Sequence, residues 1–274
     1  ADKVGIDIGG TFTDLYAYDT QTGKSLCLSS SSTPENYANG VLNVIEKSKI
    51  RPEDIELIVH GTTVATNAVI MKTYEKTAFV TTKGMRDLIE IGRFHRKVLY
   101  DPYQQKPEPI VSRDNRFTVE ERIDKDGNVL EAVNENDVRQ VAAKIREKGI
   151  TSVCVGFMNS YVNGKHEKRA AEILKEELPD AYVIASSQIL PNIGALGRFT
   201  TGIINAALYH LVSNYIENLE DRLRGKGFKG KLLLVQSNGG EITAELVRKN
   251  PETLLTYGPA GGVVGALTLG MASG

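Results

Sequence analysis

The chain has 274 residues, 41% of them hydrophobic and 24% charged, the composition of an ordinary soluble globular protein long enough for one large core or two smaller ones. A formal net charge of −1 leaves no basic footprint for nucleic acid or an anionic membrane surface, and the apolar runs fall far short of the ~18 residues of a spanning helix. The two cysteines, Cys27 and Cys154, lie far apart in mainly apolar stretches and no secretory signal pattern is visible, so buried thiols in a reducing, cytoplasmic compartment are expected.

The first stretch in chain order carries the most chemistry. Residues 4–8 read as a short apolar strand and residues 15–18 as a second one, joined by Gly9-Gly10-Thr11-Phe12-Thr13. Adjacent glycines permit positive φ and close approach of a ligand to the backbone. The hydroxyls of Thr11 and Thr13, with the turn amides, form a nest for phosphate oxygens. Asp7 and Asp14 bracket the turn as hard oxygen ligands suited to Mg²⁺. A plain glycine-rich hairpin requires neither aspartate.

Residues 24–28 extend this meander to three strands. Thr33-Pro34 is expected to cap and open a helix whose Tyr37, Val41, Val44 and Ile45 share one face. A strand over residues 55–59 runs into His60-Gly61-Thr62-Thr63, followed by a helix with Val64, Asn67, Ala68 and Ile70, a strand over 77–82 and a helix over 85–91. Residues 92–115 break the pattern with three prolines and little periodicity. A connection this long is either a functional loop or lid, or an excursion packed by its own aromatics, and a mobile or partner-contacting segment is expected. A hairpin is expected over 117–130 around Asp124-Lys125-Asp126-Gly127; without a preceding helix or a distal glutamate this is a plain turn, not a calcium loop. Helices over 134–148 and 166–178 alternate with strands over 152–157 and 181–185, a long helix runs from 200 to 223, and a strand covers 231–235. The alternation predicts an α/β fold, with a mixed, largely parallel sheet flanked by helices and entered through an antiparallel meander.

Two further glycine-rich stations follow, Gln236-Ser237-Asn238-Gly239-Gly240 after a strand and Gly258-Pro259-Ala260-Gly261-Gly262 opening a helix. Backbone amides at such positions favour anionic oxygen. There is no Walker A lysine, and no Gly-x-Gly-x-x-Gly follows the first strand, so nucleotide binding requires another architecture.

The run Asp7-Ile8-Gly9-Gly10-Thr11-Phe12-Thr13-Asp14 resembles the first phosphate motif of the actin, sugar-kinase and heat-shock-chaperone ATPase superfamily. More narrowly, the chain is similar to the hydantoinase A / 5-oxoprolinase family. The similarity continues through His60-Gly61-Thr62-Thr63-Val64-Ala65-Thr66-Asn67-Ala68, Thr81-Thr82-Lys83-Gly84-Met85-Arg86-Asp87, Glu120-Glu121-Arg122-Ile123, Ser160-Tyr161 with His166-Glu167, and the two later glycine stations. The resemblance implies an actin-like, ribonuclease-H-like lobe over residues 1–190 and the start of a second, nucleotide-side lobe over 191–274. It also implies ATP and Mg²⁺ as cofactors, with phosphorylation of a carbonyl oxygen. Hydantoinases and oxoprolinases activate a cyclic amide before ring opening; the related acetone and acetophenone carboxylases activate a ketone or its enol.

Carried over by the resemblance, Asp7 holds Mg²⁺ and Asp14 and His60 complete the catalytic set. Gly9, Gly10, Thr11 and Thr13 cradle phosphates, with Thr62 and Thr63 at a strand end facing the cleft. Asn238, Gly239 and Gly240, with Gly258, Pro259, Ala260, Gly261 and Gly262, approach the nucleotide. The implied partners are a small carbonyl substrate and the remainder of the polypeptide or a hydantoinase B-like subunit, with no nucleic acid and no membrane. Two departures stand out. Ala195-Leu196-Gly197 replaces a glutamate and tyrosine common in the family, which leaves room for a ketone carboxylase. The 274 residues also hold a single Asp-x-Gly-Gly-Thr turn where the family has two, so a fragment or incomplete subunit is expected. A non-catalytic nucleotide-binding scaffold is the reading from a different class. Among single residues, His60 suits either a cleft hydrogen bond or a satisfied interior position, His166 in a charged helix is expected to be solvated, and Cys154 is expected to be a core thiol.

Overall fold

The computed structural model describes residues 2–33 and 36–273. Strands β1 (Asp2–Ile8), β2 (Phe12–Asp19) and β3 (Ser25–Ser31) form the expected antiparallel meander. Their side chains alternate with period two. Val4, Ile6 and Ile8 of β1 and Thr13, Leu15 and Ala17 of β2 are buried on one face, while Asp7, Phe12, Asp14, Tyr16 and Tyr18 stand on the other. Helix α1 (Tyr37–Ser48) covers the buried face with Val41, Val44 and Ile45. Its cap is Asn36, whose side chain accepts from the Ala38 amide at 3.2 Å, and not Thr33, whose hydroxyl donates to the Asn36 carbonyl; Pro34 lies outside the described residues. Gly40 lets α1 approach closely, since a Cβ there stands 2.9 Å from Thr13 Oγ1. Strand β4 (Ile55–Thr62) pairs parallel to β1, and helix α2 (Val64–Met71) follows it.

The chain then builds β5 (Thr77–Thr82), α3 (Leu88–Ile91), β6 (Arg116–Val119), β7 (Arg122–Ile123), β8 (Val129–Glu131), α4 (Glu135–Glu147), β9 (Ser152–Gly156), α5 (Lys165–Glu177), β10 (Tyr182–Ala185) and α6 (Ser186–Ile189). The expected hairpin over 117–130 divides between two sheets: β6 joins β5 in parallel, and only β7 and β8 pair across the Asp124 turn. That turn is closed by Asp124 accepting from the Asp126 and Asn128 amides, as a plain turn requires. Residues 92–112 carry no regular element; the segment is mostly exposed and returns to the core at Val111, 1% exposed. The long helix α7 (Ala195–Gly225), strands β11 (Lys231–Val235) and β12 (Glu241–Thr243), and helices α8 (Ala244–Lys249) and α9 (Tyr257–Ser273) complete the described chain.

Contacts group the residues into two compact units, Ala1–Tyr74 with Leu208–Gly274, and Glu75–Ala207. The sequence division at residue 190 follows the chain, whereas these units follow contacts, and one unit takes both ends of the chain. The first unit has a six-stranded mixed sheet in the order β12-β11-β4-β1-β2-β3, with β1, β4 and β11 parallel. Apart from the edge strand β12 this is the ribonuclease-H-like order of an actin-type lobe. The second unit has four parallel strands in the order β10-β9-β5-β6, of which the central β5 and β9 are wholly buried because both faces are covered. One face packs Val80, Val153, Val155 and Phe157 against Val138, Ile145, Ile173 and Leu174 of α4 and α5. The other packs Phe79 and Cys154 against Phe199 and Ile203. Each fully buried Phe, Ile or Leu side chain contributes about 1.5–3 kcal/mol relative to exposure.

Cys154 is the core thiol that its position predicts, its pKa pushed well up by burial. Cys27 is a correction: it is exposed, because β3 lies at the sheet edge and residue 27 falls on the uncovered face. No helix of the described residues is long and apolar enough to cross a membrane.

Candidate functional site

The face of the first unit's sheet opposite α1 holds a cavity of about 750 Å³, bounded on one side by α9. Register sets Asp7 directly opposite Asp14 on β2 and opposite Gly61 on β4, so the two carboxylates stand side by side on this face. Both line the cavity, together with Tyr16, Tyr257, Gly258 and Gly262, and among the described residues no lysine, arginine or histidine joins them.

The turn beyond β1 is folded by its carbonyls. Gly9 N donates to the Phe12 carbonyl at 2.9 Å, the Ser32 amide to Thr11 O at 2.8 Å, and Ser32 Oγ to Gly9 O at 2.8 Å. The Gly10 and Thr11 amides donate to no protein group among the described residues. Unpaired adjacent amides, with carbonyls drawn away, are the arrangement that accepts an anionic oxygen. Neither Gly9 nor Gly10 adopts the positive φ that adjacent glycines permit. Close approach is what remains: a Cβ at Gly9 stands 3.3 Å from Phe12 O, and the space beside Gly10 is open.

Several expected site residues are elsewhere. Thr13 is fully buried, its hydroxyl 3.0 Å from Ser32 Oγ on the α1 side, so of the two turn threonines only Thr11 remains exposed. His60 does not face the cavity. It is fully buried on the helix side of the sheet, where its Nδ1–H donates to Ile6 O at 3.2 Å and its Nε2 accepts from the Tyr215 hydroxyl at 2.6 Å. The carbonyl only accepts, which fixes this neutral tautomer, and burial lowers the imidazole pKa to about 4. Alternation along β4 is the cause: Asp7-facing Gly61 and Val59 lie on one face, His60 and Thr62 on the other. Thr62 is fully buried, its hydroxyl accepting from the Val64 amide, and Thr63 Oγ1 donates to Ile8 O at 3.2 Å. Asn238 Oδ1 accepts from Gly240 N at 2.8 Å in the β11–β12 turn, and Gly239, with φ +80°, packs toward Val264 of α9. Of the third station, Gly258, Gly261 and Gly262 line the cavity; Pro259 and Ala260 are not among its lining residues.

Tyr257 was absent from the sequence reading. Its hydroxyl donates to Asp7 Oδ1, and its ring lies where any side chain at position 61 would be. Glycine inside an otherwise apolar strand is the signal for such a close approach.

A second polar cluster lies in the other unit, at the carboxyl ends of β5, β6, β9 and β10. Glu121 accepts from Thr82 Oγ1 and from His166 Nδ1–H at 2.8 Å, and His166 is 4% exposed. This corrects the expectation of a solvated histidine. The signal was in the helix pattern: residues 166 and 167 precede the buried Ala170 and Ala171 by four and share their face. Glu167 accepts from the Phe157 amide, Ser186 Oγ, and the Ser187 amide and hydroxyl, at 2.6–2.9 Å. Arg198 donates to Phe157 O at 2.9 Å and to Asn192 O; burial lowers its pKa while Glu167 opposes the shift. Among the described residues no group of three or more His, Cys, Asp or Glu is gathered as a metal site.

The chain matches the model of the hydantoinase/oxoprolinase N-terminal region over residues 3–178 and that of hydantoinase/oxoprolinase over 198–274. It is 40% identical to an uncharacterized protein of Methanocaldococcus jannaschii over 96% of this chain and 39% of that protein. It is 30% identical to the acetophenone carboxylase gamma subunit of Aromatoleum aromaticum, over 96% of this chain and 38% of the subunit. The crystal structure of the ATP-dependent caprolactamase from Pseudomonas jessenii superposes with a TM-score of 0.85 at 30% identity, covering 94% of this chain and 39% of that one. The chain thus spans about two fifths of the length of these relatives.

Proposed function

The chain belongs to the hydantoinase/oxoprolinase family, and on that footing we propose that it forms the nucleotide-binding part of an ATP-dependent enzyme that phosphorylates the carbonyl oxygen of a small cyclic amide ahead of hydrolysis. The observation that carries this reading is the Asp7–Asp14 carboxylate pair in a cavity whose described lining holds no side-chain cation, with the unpaired Gly10 and Thr11 amides in the turn that follows β1. Two carboxylates alone repel a polyphosphate, so this donor set fits the nucleotide only as a divalent metal complex. When bound, Mg²⁺ supplies charge neutralisation on the phosphate oxygens.

The residues of the chain have separate tasks in this reading. Asp7 holds the cation and Asp14, opposite it, supplies a second oxygen donor. The Gly10 and Thr11 amides orient the phosphate chain, and Tyr16, Val59 and Val235 give the cavity an apolar wall that limits water. The phosphoryl group passes from ATP to the carbonyl oxygen, ADP leaves, and water then opens the activated amide with release of phosphate. A second set of phosphate contacts, from the longer polypeptide or a hydantoinase B-like partner, belongs to this proposal. So does the caprolactamase-like choice of a lactam.

One observation favours a second reading, a ketone-carboxylase subunit: the identity with the acetophenone carboxylase gamma subunit is as high as with the caprolactamase. The test is ADP formation from Mg-ATP by the chain, alone and with the partner subunit, in the presence of hydantoin, 5-oxoproline, caprolactam, or acetophenone with bicarbonate. Lactam- or hydantoin-dependent ADP formation with the partner present is the expected result. Dependence on acetophenone selects the carboxylase. Nucleotide binding with no carbonyl-dependent turnover in any mixture contradicts both and leaves the scaffold role.

A further inference from the structure

Tyr257 opens α9 and is 5% exposed. Its hydroxyl donates to Asp7 Oδ1 and lies 3.4 Å from the Ile8 carbonyl. Its ring occupies the space above Gly61, where a Cβ would collide with the ring and stand 2.8 Å from Asp7 Oδ1. The residue before it, Thr256, has a positive φ of 57° and its amide donates to Thr66 Oγ1 at 3.1 Å, which fixes the entry into the helix. Residues 7, 61 and 257, distant in sequence, are therefore fitted to one another. Asp7 Oδ2 accepts from no protein group among the described residues, and Asp7 lines the cavity.

We propose that Tyr257 is a positioning residue for the cation site: its phenol fixes the Asp7 carboxylate by one oxygen, presents the other to the cation, and ties the first turn of α9 to the end of β1. This rests on the reading of Asp7 as the cation-holding carboxylate. A phenol donates one hydrogen bond and so engages Oδ1 without neutralising the carboxylate. An ordinary phenol, with a pKa of about 10, is a donor across the physiological range. Groups that orient a metal-ligating carboxylate typically change metal affinity 10–100-fold when removed. The site thereby links two stations that the sequence shows only as separate glycine runs, the turn after β1 and the start of α9.

The experiment is a double-mutant cycle on the 274-residue chain. Wild type, Tyr257→Phe, Asp7→Asn and the double variant are titrated calorimetrically with ATP, with Mg²⁺ and with chelator, and thermal midpoints are recorded alongside. Phenylalanine keeps the ring in its niche, so Tyr257→Phe is expected to retain the wild-type midpoint within a few degrees. It is expected to weaken Mg-ATP binding about tenfold while metal-free binding is unchanged. The double variant is expected to bind no more weakly than Asp7→Asn, because the phenol acts through that carboxylate. Gly61→Ala, which evicts the ring while leaving the hydroxyl in the sequence, is expected to reproduce the loss of Mg²⁺ dependence. Wild-type affinity in Tyr257→Phe, or losses that simply add in the double variant, overturns the proposal. Asp7→Asn binding Mg-ATP as wild type does overturns instead the reading of Asp7 on which it stands.

Discussion

His60 is enclosed between the β1 backbone and Tyr215, donating to one and accepting from the other. A buried imidazole with a pKa near 4, against 6.5 when unfolded, makes stability pH-dependent with a definite sign. The unfolded chain takes up a proton as pH falls through 6.5 and the folded chain does so only near 4. Stability is therefore fully present above 6.5 and declines between these values, by about 2 kcal/mol between pH 7.5 and pH 5. Urea denaturation of wild type and His60→Asn at both pH values checks this: the pH-dependent loss is expected to shrink by that amount in the variant. An equal loss in both proteins shows that the proton is taken up elsewhere. The residue type at position 60 was legible and its face was not, because a short run such as His60-Gly61-Thr62-Thr63 does not reveal strand parity until the strand extends to Thr62. Asp7 was legible as a strand-end carboxylate; its partner Tyr257 was not, since a contact between residues 7 and 257 has no local signature.

At the level of elements, the meander was readable because Val4, Ile6, Ile8, Leu15 and Ala17 alternate strictly with outward residues. Helix α4 was readable because Asn134 caps it, its side chain accepting from the Asn136 and Asp137 amides, while Gly149 with φ 62° follows its last turn. Strand β12 was missed, since three residues after a glycine turn carry too little periodicity to register. The cluster around Glu167 was missed because burial of a charged residue is decided by partners on other elements. Glu167 ties the ends of β9 and β10 to α5 through four donors. Glu167→Gln leaves a single acceptor oxygen and sets an amide NH₂ against the remaining donors. It is expected to lower the unfolding free energy by about 3 kcal/mol, read by chemical denaturation. A loss below about 0.5 kcal/mol, typical of surface changes, would show that the donors are satisfied without the carboxylate. The aromatic residues of the 92–112 segment, Phe94, Tyr100 and Tyr103, are exposed and do not pack one another into a core, unlike the excursion closed by its own aromatics that the sequence also allowed.

At the scale of the molecule, strand–helix alternation sufficed for the α/β class, but not for the way the chain returns on itself. The first unit is completed by β11, which pairs with β4 some 170 residues after it was laid down, and by β12, which pairs with β11. Long-range pairing of this kind follows from which hydrophobic faces remain uncovered, and no linear composition shift marks it. The Asp7–Asp14 pair and the start of α9 meet in that unit and line one cavity, whereas Gly9, Gly10 and Thr11 and the run Asn238-Gly239-Gly240 are not among its lining residues. The central claim is that this cavity binds nucleotide through a cation held at Asp7. Isothermal titration of ATP into wild type and Asp7→Asn, each with Mg²⁺ and with chelator, tests it most directly. The account predicts binding by wild type that requires Mg²⁺, and a loss of at least about tenfold in Asp7→Asn at unchanged thermal midpoint. Equal affinity in all four titrations contradicts it.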